Sequence, residues 1–173
     1  HPESGGNKVR GLEFTLAEAV GRGARSIITI GAAGSHHVAC TAWHARHLGL
    51  MTVALVTKQP PAEYARRNLL RGLALGVEYV PANWATLPPK LASRLVRSGW
   101  PGGLRAYYLP PGGTSALSCL GCVNAARELR EQIYAGLFPE PDYLYVALSS
   151  LGTAAGLAVG CRLAGLRTKL VGI

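Results

Sequence analysis

The sequence predicts an α/β protein in which mainly parallel strands form three-layer units with helices on both faces. Short apolar and β-branched runs alternate with longer stretches in which apolar residues recur at helical spacing. Glycine- and proline-containing breaks separate the two kinds of segment. The 173 residues are 49% hydrophobic and 16% charged, enough for one substantial core or two small ones. Repeated strand-helix units of this kind build parallel sheets.

The elements follow one another in a regular order along the chain. Val9, Leu12, Leu16 and Val20 recur at helical spacing and predict a first helix, and a buried strand follows before Gly31. The further elements are predicted by the same two patterns. Strands are expected at 26–30, 51–57, 77–80, 106–109, 143–148 and 168–173, and the later helices at 35–48, 62–75, 87–97, 115–134 and 153–164.

Two breaks in this series combine rigid proline with permissive glycine. One is Trp100-Pro101-Gly102-Gly103, before the fourth strand, and the other is Pro110-Pro111-Gly112-Gly113, after it. The second break is a candidate crossing between two domains. The chain starts at His1 without methionine and stops within an apparent strand at 171–173, so we expect a piece of a larger protein, truncated at both ends.

The charge and cysteine content narrow the function classes. Lysine and arginine number 18 against 9 acidic residues, a net charge of +9, but the arginines are scattered and favour solvated helix faces over a nucleic-acid patch. No bilayer-length apolar run or signal peptide is evident, which predicts no membrane contact and a cytoplasmic protein. Cys119 and Cys122 form one CxxC pair in an apolar stretch without a second half-site, so buried helix positions are favoured and no metal is expected.

The motif Gly5-Gly6-Asn7-Lys8 delivers one lysine to the start of a helix through a glycine turn. A lysine held by tight backbone is a candidate for carbonyl chemistry, because its amine can form a Schiff base with an aldehyde cofactor. That chemistry requires a neighbouring site for the anionic end of the cofactor.

Two strand-helix junctions carry small residues where ligands bind in parallel sheets, at 31–37 and 149–156. The second is the better phosphate cradle, since Ser150 and Thr153 offer hydroxyls and Gly152 permits close backbone approach. Such turns are equally common as packing devices, so both interpretations stay open at this point. Neither junction matches a nucleotide-binding fingerprint. His36 and His37, at the start of the helix after the first junction, are adjacent, so one is expected to line a site while the other packs.

Together these segments resemble a known family. Gly5 to Arg10 with Leu12-Glu13-Phe14, the 31–37 junction and the 150–157 stretch are similar to the 1-aminocyclopropane-1-carboxylate deaminase and D-cysteine desulfhydrase group of pyridoxal-phosphate enzymes. That group has the tryptophan synthase β-like, two-domain fold type II. The stretch 108–114 resembles its return to the larger domain. The resemblance therefore implies a larger cofactor-binding domain at 1–23 and 113–173, and a smaller α/β domain at 24–112.

The resemblance also implies roles for individual residues. Lys8 would form the Schiff base with pyridoxal 5′-phosphate and act as the proton-transfer base, and Asn7 would orient it or contact the cofactor. Ser35 would lie near the substrate carboxylate or take part in its deprotonation. His36 takes the place of a family asparagine beside the cofactor ring and is expected to contact cofactor and substrate, and His37, which matches a family glutamine or histidine, is expected to bind substrate. The residues expected around the phosphate are Ser150, Gly152, Thr153, Ala154 and Gly156.

The activity implied is that of a lyase or deaminase on a small amino acid, which releases ammonia and a 2-oxo acid, in a protein that is a homodimer when complete. Leu151 stands where the family usually has glycine in the phosphate loop. Two alternatives stay open. One is a relative that binds ligand without turnover, and the other is an anion- or nucleic-acid-binding module driven by the net positive charge.

Overall fold

A computed structural model describes residues 5–98 and 105–173. The break Trp100-Pro101-Gly102-Gly103 lies outside the described residues. The helices are α1 (Lys8–Gly21), α2 (His36–His47), α3 (Glu63–Ala74), α4 (Leu87–Arg97), α5 (Ala116–Tyr134) and α6 (Gly152–Leu163). The strands are β1 (Ser26–Ala32), β2 (Met51–Thr57), β3 (Glu78–Pro81), β4 (Ala106–Leu109), β5 (Tyr143–Val146) and β6 (Lys169–Gly172), and Pro111–Gly113 forms a 3-10 turn.

The predicted elements are confirmed in type and order, and most boundaries differ by no more than two residues. Strand β5 is one of the elements that differ by two residues, since it ends at Val146 rather than at 148. Its ladder with β6 runs from Tyr143 opposite Lys169 to Val146 opposite Gly172. Hydrogen bonding continues just beyond the ladder, since the Ile173 amide donates to the Val146 carbonyl oxygen at 2.9 Å and the Leu148 amide donates to the Ile173 carbonyl oxygen at 2.8 Å.

A four-stranded parallel sheet in the order β3-β2-β1-β4 contains the best-buried strand of the chain, β1. Successive side chains of a strand point to opposite faces. Ile27 belongs to a core cluster with Leu12 of α1, whereas Ile28 packs with Leu91 of α4. The first sheet is therefore covered on both faces, which confirms the predicted layered α/β class.

A second parallel sheet, β5-β6, follows α5 and α6. These two helices pack closely because α6 presents glycine to α5. A Cβ on Gly156 would lie 2.5 Å from the Cys119 carbonyl oxygen, and one on Gly160 would lie 2.7 Å from the Ala126 Cβ. The opposite side of α5 meets α1, where a Cβ on Gly121 would lie 2.0 Å from the Arg10 carbonyl oxygen. Small residues thus fix α1, α5 and α6 side by side.

The chain passes from the first sheet to the second through the 3-10 turn after β4. The turn is followed by a capping box in which the Ser115 hydroxyl accepts a hydrogen bond from the Ser118 amide and the Ser118 hydroxyl accepts one from the Ser115 amide. The predicted crossing thus coincides with the change of sheet, while the domain boundaries at 23 and 112 stay a prediction. In the part of the chain that the structure describes, no helix is long and apolar enough to span a bilayer.

Candidate active site

Lys8 is the first residue of α1 and follows a glycine turn in which Gly6 has a φ of +107°. That conformation is open to glycine and strained for other residues, so the turn depends on its glycine. The Lys8 amine donates a hydrogen bond to the carbonyl oxygen of Gly112 at 3.1 Å, across the crossing after β4. The lysine is therefore half-buried and held at a defined place rather than on a solvated helix face.

Asn7 connects this lysine to the start of α6. Its side-chain amide donates to the Thr153 hydroxyl oxygen at 2.9 Å, although 146 residues separate the two in sequence. Thr114, just after the crossing, donates to the Ser150 hydroxyl oxygen at 2.6 Å. The structure thus brings together the lysine motif and the second junction, which the sequence predicts as partners.

A cleft lies between these elements. The residues around it include a lysine amine, an imidazole, three hydroxyls, an amide and a thiol. These polar residues are Asn7, Lys8, His37, Thr114, Ser118, Cys122 and Thr153, and Leu12 and four glycines complete the lining.

The glycines of the cleft leave room where a side chain would collide. A Cβ on Gly112 would lie 2.8 Å from the Ser150 hydroxyl, one on Gly113 2.9 Å from the His37 ring, and one on Gly152 2.9 Å from the Thr114 methyl group. The first backbone amides of α6 have no acceptor within the helix, and the helix dipole is positive at this end. This end of the cleft therefore offers amide and hydroxyl donors and suits an anion.

Leu151 precedes α6 in the left-handed conformation, with a φ of 64°. Glycine adopts this conformation more readily than leucine does. Leucine in place of the family's usual glycine therefore has a local backbone cost. The Leu151 side chain is 57% exposed. It does not line the cleft, so the backbone approach to an anion at Gly152 stays open.

The two adjacent histidines have different surroundings. His36 is exposed and its Nε2 lies 3.0 Å from the Gly5 carbonyl oxygen, against the lysine loop. His37 is 4% exposed, lines the cleft, and its Nε2 lies 3.0 Å from the Thr29 hydroxyl. The Nδ1 of His37 is buried and has no hydrogen-bond partner among the described residues. A buried polar atom without a partner has a desolvation cost unless water or a ligand supplies the hydrogen bond.

The remaining predicted residues lie farther from the cleft. Ser35 precedes α2, and its hydroxyl accepts no capping hydrogen bond from the backbone amides of the helix. Ala154 lies in the first turn of α6, and Gly156 packs against α5 one turn later. Their roles stay predictions, as does ring contact by His36. In the described residues no group of histidine, cysteine and acidic side chains is suited to hold a metal ion.

The sequence did not single out Thr114 or Cys122 as members of the site. Cys122 is a buried helix residue, as predicted, while Cys119 is only half-buried. The available signal was indirect: the break at 110–113 indicated a crossing before α5, but nothing in the spacing showed which face of α5 meets the lysine.

The titration of His37 leads to a prediction about stability. Burial, with smaller effects of the neighbouring Lys8 and His36 charges, lowers the pKa of His37 from 6.5 to about 4. Below pH 6.5 the unfolded chain binds a proton that the folded chain does not, so stability is lost as the pH falls from about 6.5 to about 4. We expect the free energy of unfolding of His37→Gln to fall by about 3 kcal/mol less than that of the wild type between pH 7 and pH 4, as measured by urea unfolding.

The exposed His47 provides the matched control. His47→Gln makes the same replacement outside the cleft and shows how much of the change comes from the replacement itself. An identical pH dependence in wild type and His37→Gln would show that His37 titrates normally.

A lysine amine beside an anion cradle on a parallel α/β fold is the arrangement that an enzyme with an anionic aldehyde cofactor requires. The family described as "Pyridoxal-phosphate dependent enzyme" matches residues 1–173, and the chain belongs to this family. The resemblance inferred from the motifs is thereby confirmed.

Two curated relatives and one solved structure illustrate the match. The D-cysteine desulfhydrase of Klebsiella pneumoniae (strain 342) is 39% identical over 178 residues, which cover 98% of this chain and 52% of that protein. The nocardicin C-9′ epimerase of Nocardia uniformis subsp. tsuyamanensis is 37% identical over 175 residues, covering 99% and 53%. A structure described as an ACC deaminase homologue has a TM-score of 0.80 and 30% identity, covering 97% and 51%. The chain spans about half the length of the relatives it matches.

Proposed function

We propose that the protein is a pyridoxal-phosphate-dependent lyase or deaminase that acts on a small amino acid and releases ammonia and a 2-oxo acid. The observation that carries this proposal is the placement of the Lys8 amine opposite the donor-rich start of α6, joined by the hydrogen bond from Asn7 to Thr153. The names of the relatives support the substrate class, since D-cysteine desulfhydrase is among them.

The residues present fit the cofactor. Glycines leave space at the cradle, hydroxyl and amide donors face that space, and a buried ring nitrogen of His37 lacks a partner. When bound, pyridoxal phosphate withdraws electrons from the α-carbon of an amino acid and so weakens its bonds. Lys8 would hold the aldehyde carbon, and Ser150, Gly152 and Thr153 would hold the phosphate.

Side chains of the site would have separate roles in the reaction. The Lys8 amine, once released by the substrate, would hold or move the proton at the substrate α-carbon. His37, neutral above pH 4, could not compete for that proton and would instead offer Nδ1 as a hydrogen-bonding group. Ser35 and His36 are proposed on the substrate side of the site, and the homodimer and the cytoplasmic location remain proposals as well.

The proposal is tested with the protein expressed from its complete gene and supplied with pyridoxal phosphate. With D-cysteine we expect pyruvate, sulfide and ammonia, and with 1-aminocyclopropane-1-carboxylate we expect 2-oxobutyrate and ammonia, so at least one of the two should yield a 2-oxo acid. The measurement is 2-oxo acid and ammonia release with each substrate, with the change of configuration followed on chiral amino acids.

Three other outcomes would contradict the proposal in distinct ways. Inversion of an amino acid without 2-oxo acid would replace elimination with epimerisation, the reaction that the name of one relative states. Cofactor binding without turnover of any tested amino acid would favour a non-catalytic relative. Salt-dependent retention of DNA without cofactor binding would favour the nucleic-acid alternative.

A further inference from the structure

Gly34 lies in the 31–37 junction between β1 and α2, and both of its backbone polar groups are bonded to side chains from outside that junction. Its amide donates a hydrogen bond to the Gln59 side-chain oxygen at 2.8 Å, and its carbonyl oxygen accepts one from the Asn68 side-chain amide at 3.0 Å. Gln59 follows β2, and Asn68 lies in α3. Neither residue lines the cleft that contains the Lys8 amine.

The junction approaches α3 closely at this glycine. A Cβ on Gly34 would lie 2.2 Å from the Ala65 Cα, so a side chain here would push α3 away and separate the hydrogen-bonding partners. Because a backbone amide needs an acceptor and a carbonyl oxygen needs a donor, Gln59 presents its oxygen and Asn68 its NH2 group. Both side chains are half-buried, so water competes less for these hydrogen bonds than it would on an open surface.

The other side of the junction meets the loop that precedes Lys8. Ser35 and His36 directly follow Gly34, and the His36 Nε2 lies 3.0 Å from the Gly5 carbonyl oxygen. The next residue of the junction is the histidine that lines the cleft. The junction is therefore tied to α3 on one side and to the lysine loop on the other.

We propose that Gln59 and Asn68 are positioning residues that hold the junction in the form that binds the carboxylate of an amino-acid substrate. The groups that would bind this carboxylate belong to Ser35 and His36, which the proposed function assigns to the substrate side. Hydrogen bonds to the amide and to the carbonyl of Gly34 fix the peptide groups on both sides of this residue. A loop that is already ordered does not have to be ordered by the ligand, and its affinity is higher for that reason. The identity of the ligand rests on the proposed function, whereas the hold on the junction does not.

Packing alone is the competing explanation for these two side chains. Replacement of each amide by a carboxylate of the same shape separates the explanations, because a carboxylate accepts hydrogen bonds and donates none. Gln59→Glu keeps the acceptor for the Gly34 amide, whereas Asn68→Asp removes the donor to the Gly34 carbonyl oxygen. A positioning role thus predicts opposite outcomes for two similar replacements, and a packing role predicts the same outcome for both.

Hydrogen exchange of the protein without ligand, expressed from its complete gene, measures the hold on the junction. We expect the Gly34 amide to exchange about fivefold faster in Gln59→Leu, because its acceptor is gone. In Gln59→Glu its exchange rate is expected to stay within about twofold of wild type. Unchanged exchange in Gln59→Leu would overturn the inference without reference to any activity.

Calorimetric titration with D-alanine, after addition of pyridoxal phosphate, measures the consequence for the substrate. D-Alanine has the amine and carboxylate of D-cysteine without the thiol, so it lacks a leaving group for elimination. We expect Asn68→Asp and Gln59→Leu to weaken D-alanine binding about fivefold and Gln59→Glu to stay within about twofold of wild type. Attachment of pyridoxal phosphate to Lys8 should be unchanged in all three. Asn124→Asp is the matched control, because it makes the same replacement at an exposed position of α5 outside the cleft.

The inference is overturned if Asn68→Asp binds D-alanine as wild type does, if Asn124→Asp weakens binding equally, or if the wild-type protein does not bind D-alanine. It is also overturned if the variants lose pyridoxal-phosphate attachment as strongly as D-alanine affinity, which a general loss of packing would cause. Wild-type binding of D-alanine without 2-oxo acid from any tested amino acid would reject the proposed function and leave this inference to the affinities of the variants.

Discussion

Replacing Lys8 with alanine is expected to abolish covalent attachment of pyridoxal phosphate and to lower turnover by at least about 10³-fold. Lys8 is the lysine that lines the cleft, and its amine lies 3.1 Å from the Gly112 carbonyl oxygen, opposite the start of α6. Without it the site loses both the covalent anchor and the proposed proton-transfer group. Borohydride reduction followed by peptide mapping checks the first loss, and 2-oxo acid release checks the second.

Two variants control for charge and for lysine content. Lys8→Arg keeps the positive charge but cannot form the covalent bond, so we expect it to behave like Lys8→Ala in the mapping experiment. Lys169→Ala removes a lysine of β6 that packs over the Tyr143 ring, away from the cleft, and should label as wild type does. Recovery of reduced cofactor on a lysine other than Lys8 would contradict the assignment.

Local patterns were enough to predict the elements and the two halves of the candidate site. Helical periodicity and apolar runs depend on neighbours in sequence, so β2, α4 and β4 begin and end where the sequence predicts. The glycine turn before Lys8 and the hydroxyls at Ser150 and Thr153 are likewise local motifs. Their hydrogen-bonded contact through Asn7 was not predicted, since the resemblance implied only that Asn7 orients Lys8 or contacts the cofactor.

The remainder of the site depends on tertiary packing. Cys122 faces the cleft because close contacts between glycines and neighbouring backbone set the rotation of α5 against α1 and α6. Burial of the ring beside Thr29 is the main cause of the lowered pKa of His37, and the charge of its sequence neighbour His36 is a smaller one. Residue spacing in the sequence predicts neither fact, because each depends on how closely two helices, or a helix and a strand, approach each other.

The second large effect is expected from a substitution of Gly121, which lies at the contact between α1 and α5. A Cβ at this position would lie 2.0 Å from the carbonyl oxygen of Arg10 and 2.3 Å from its carbonyl carbon. These are backbone atoms of α1, so no side-chain rotation relieves the collision and the helix itself must move. We expect Gly121→Ala to lower the free energy of unfolding by about 3 kcal/mol, measured by urea denaturation.

Because Arg10 lies two residues after Lys8 on the same helix, the displacement is expected to reach the candidate site. Gly121→Ala should therefore also weaken attachment of pyridoxal phosphate under conditions where the variant is still folded. Gly21→Ala is the matched control: it changes a glycine of α1 that has no neighbour within 4 Å of the added carbon. Removing this glycine from a helix should stabilise the protein by up to about 1 kcal/mol and leave attachment unchanged. Equal stability of the two alanine variants would mean that α1 and α5 do not meet as closely as the structure shows. The placement of Lys8 at the candidate site, which depends on that contact, would then be contradicted.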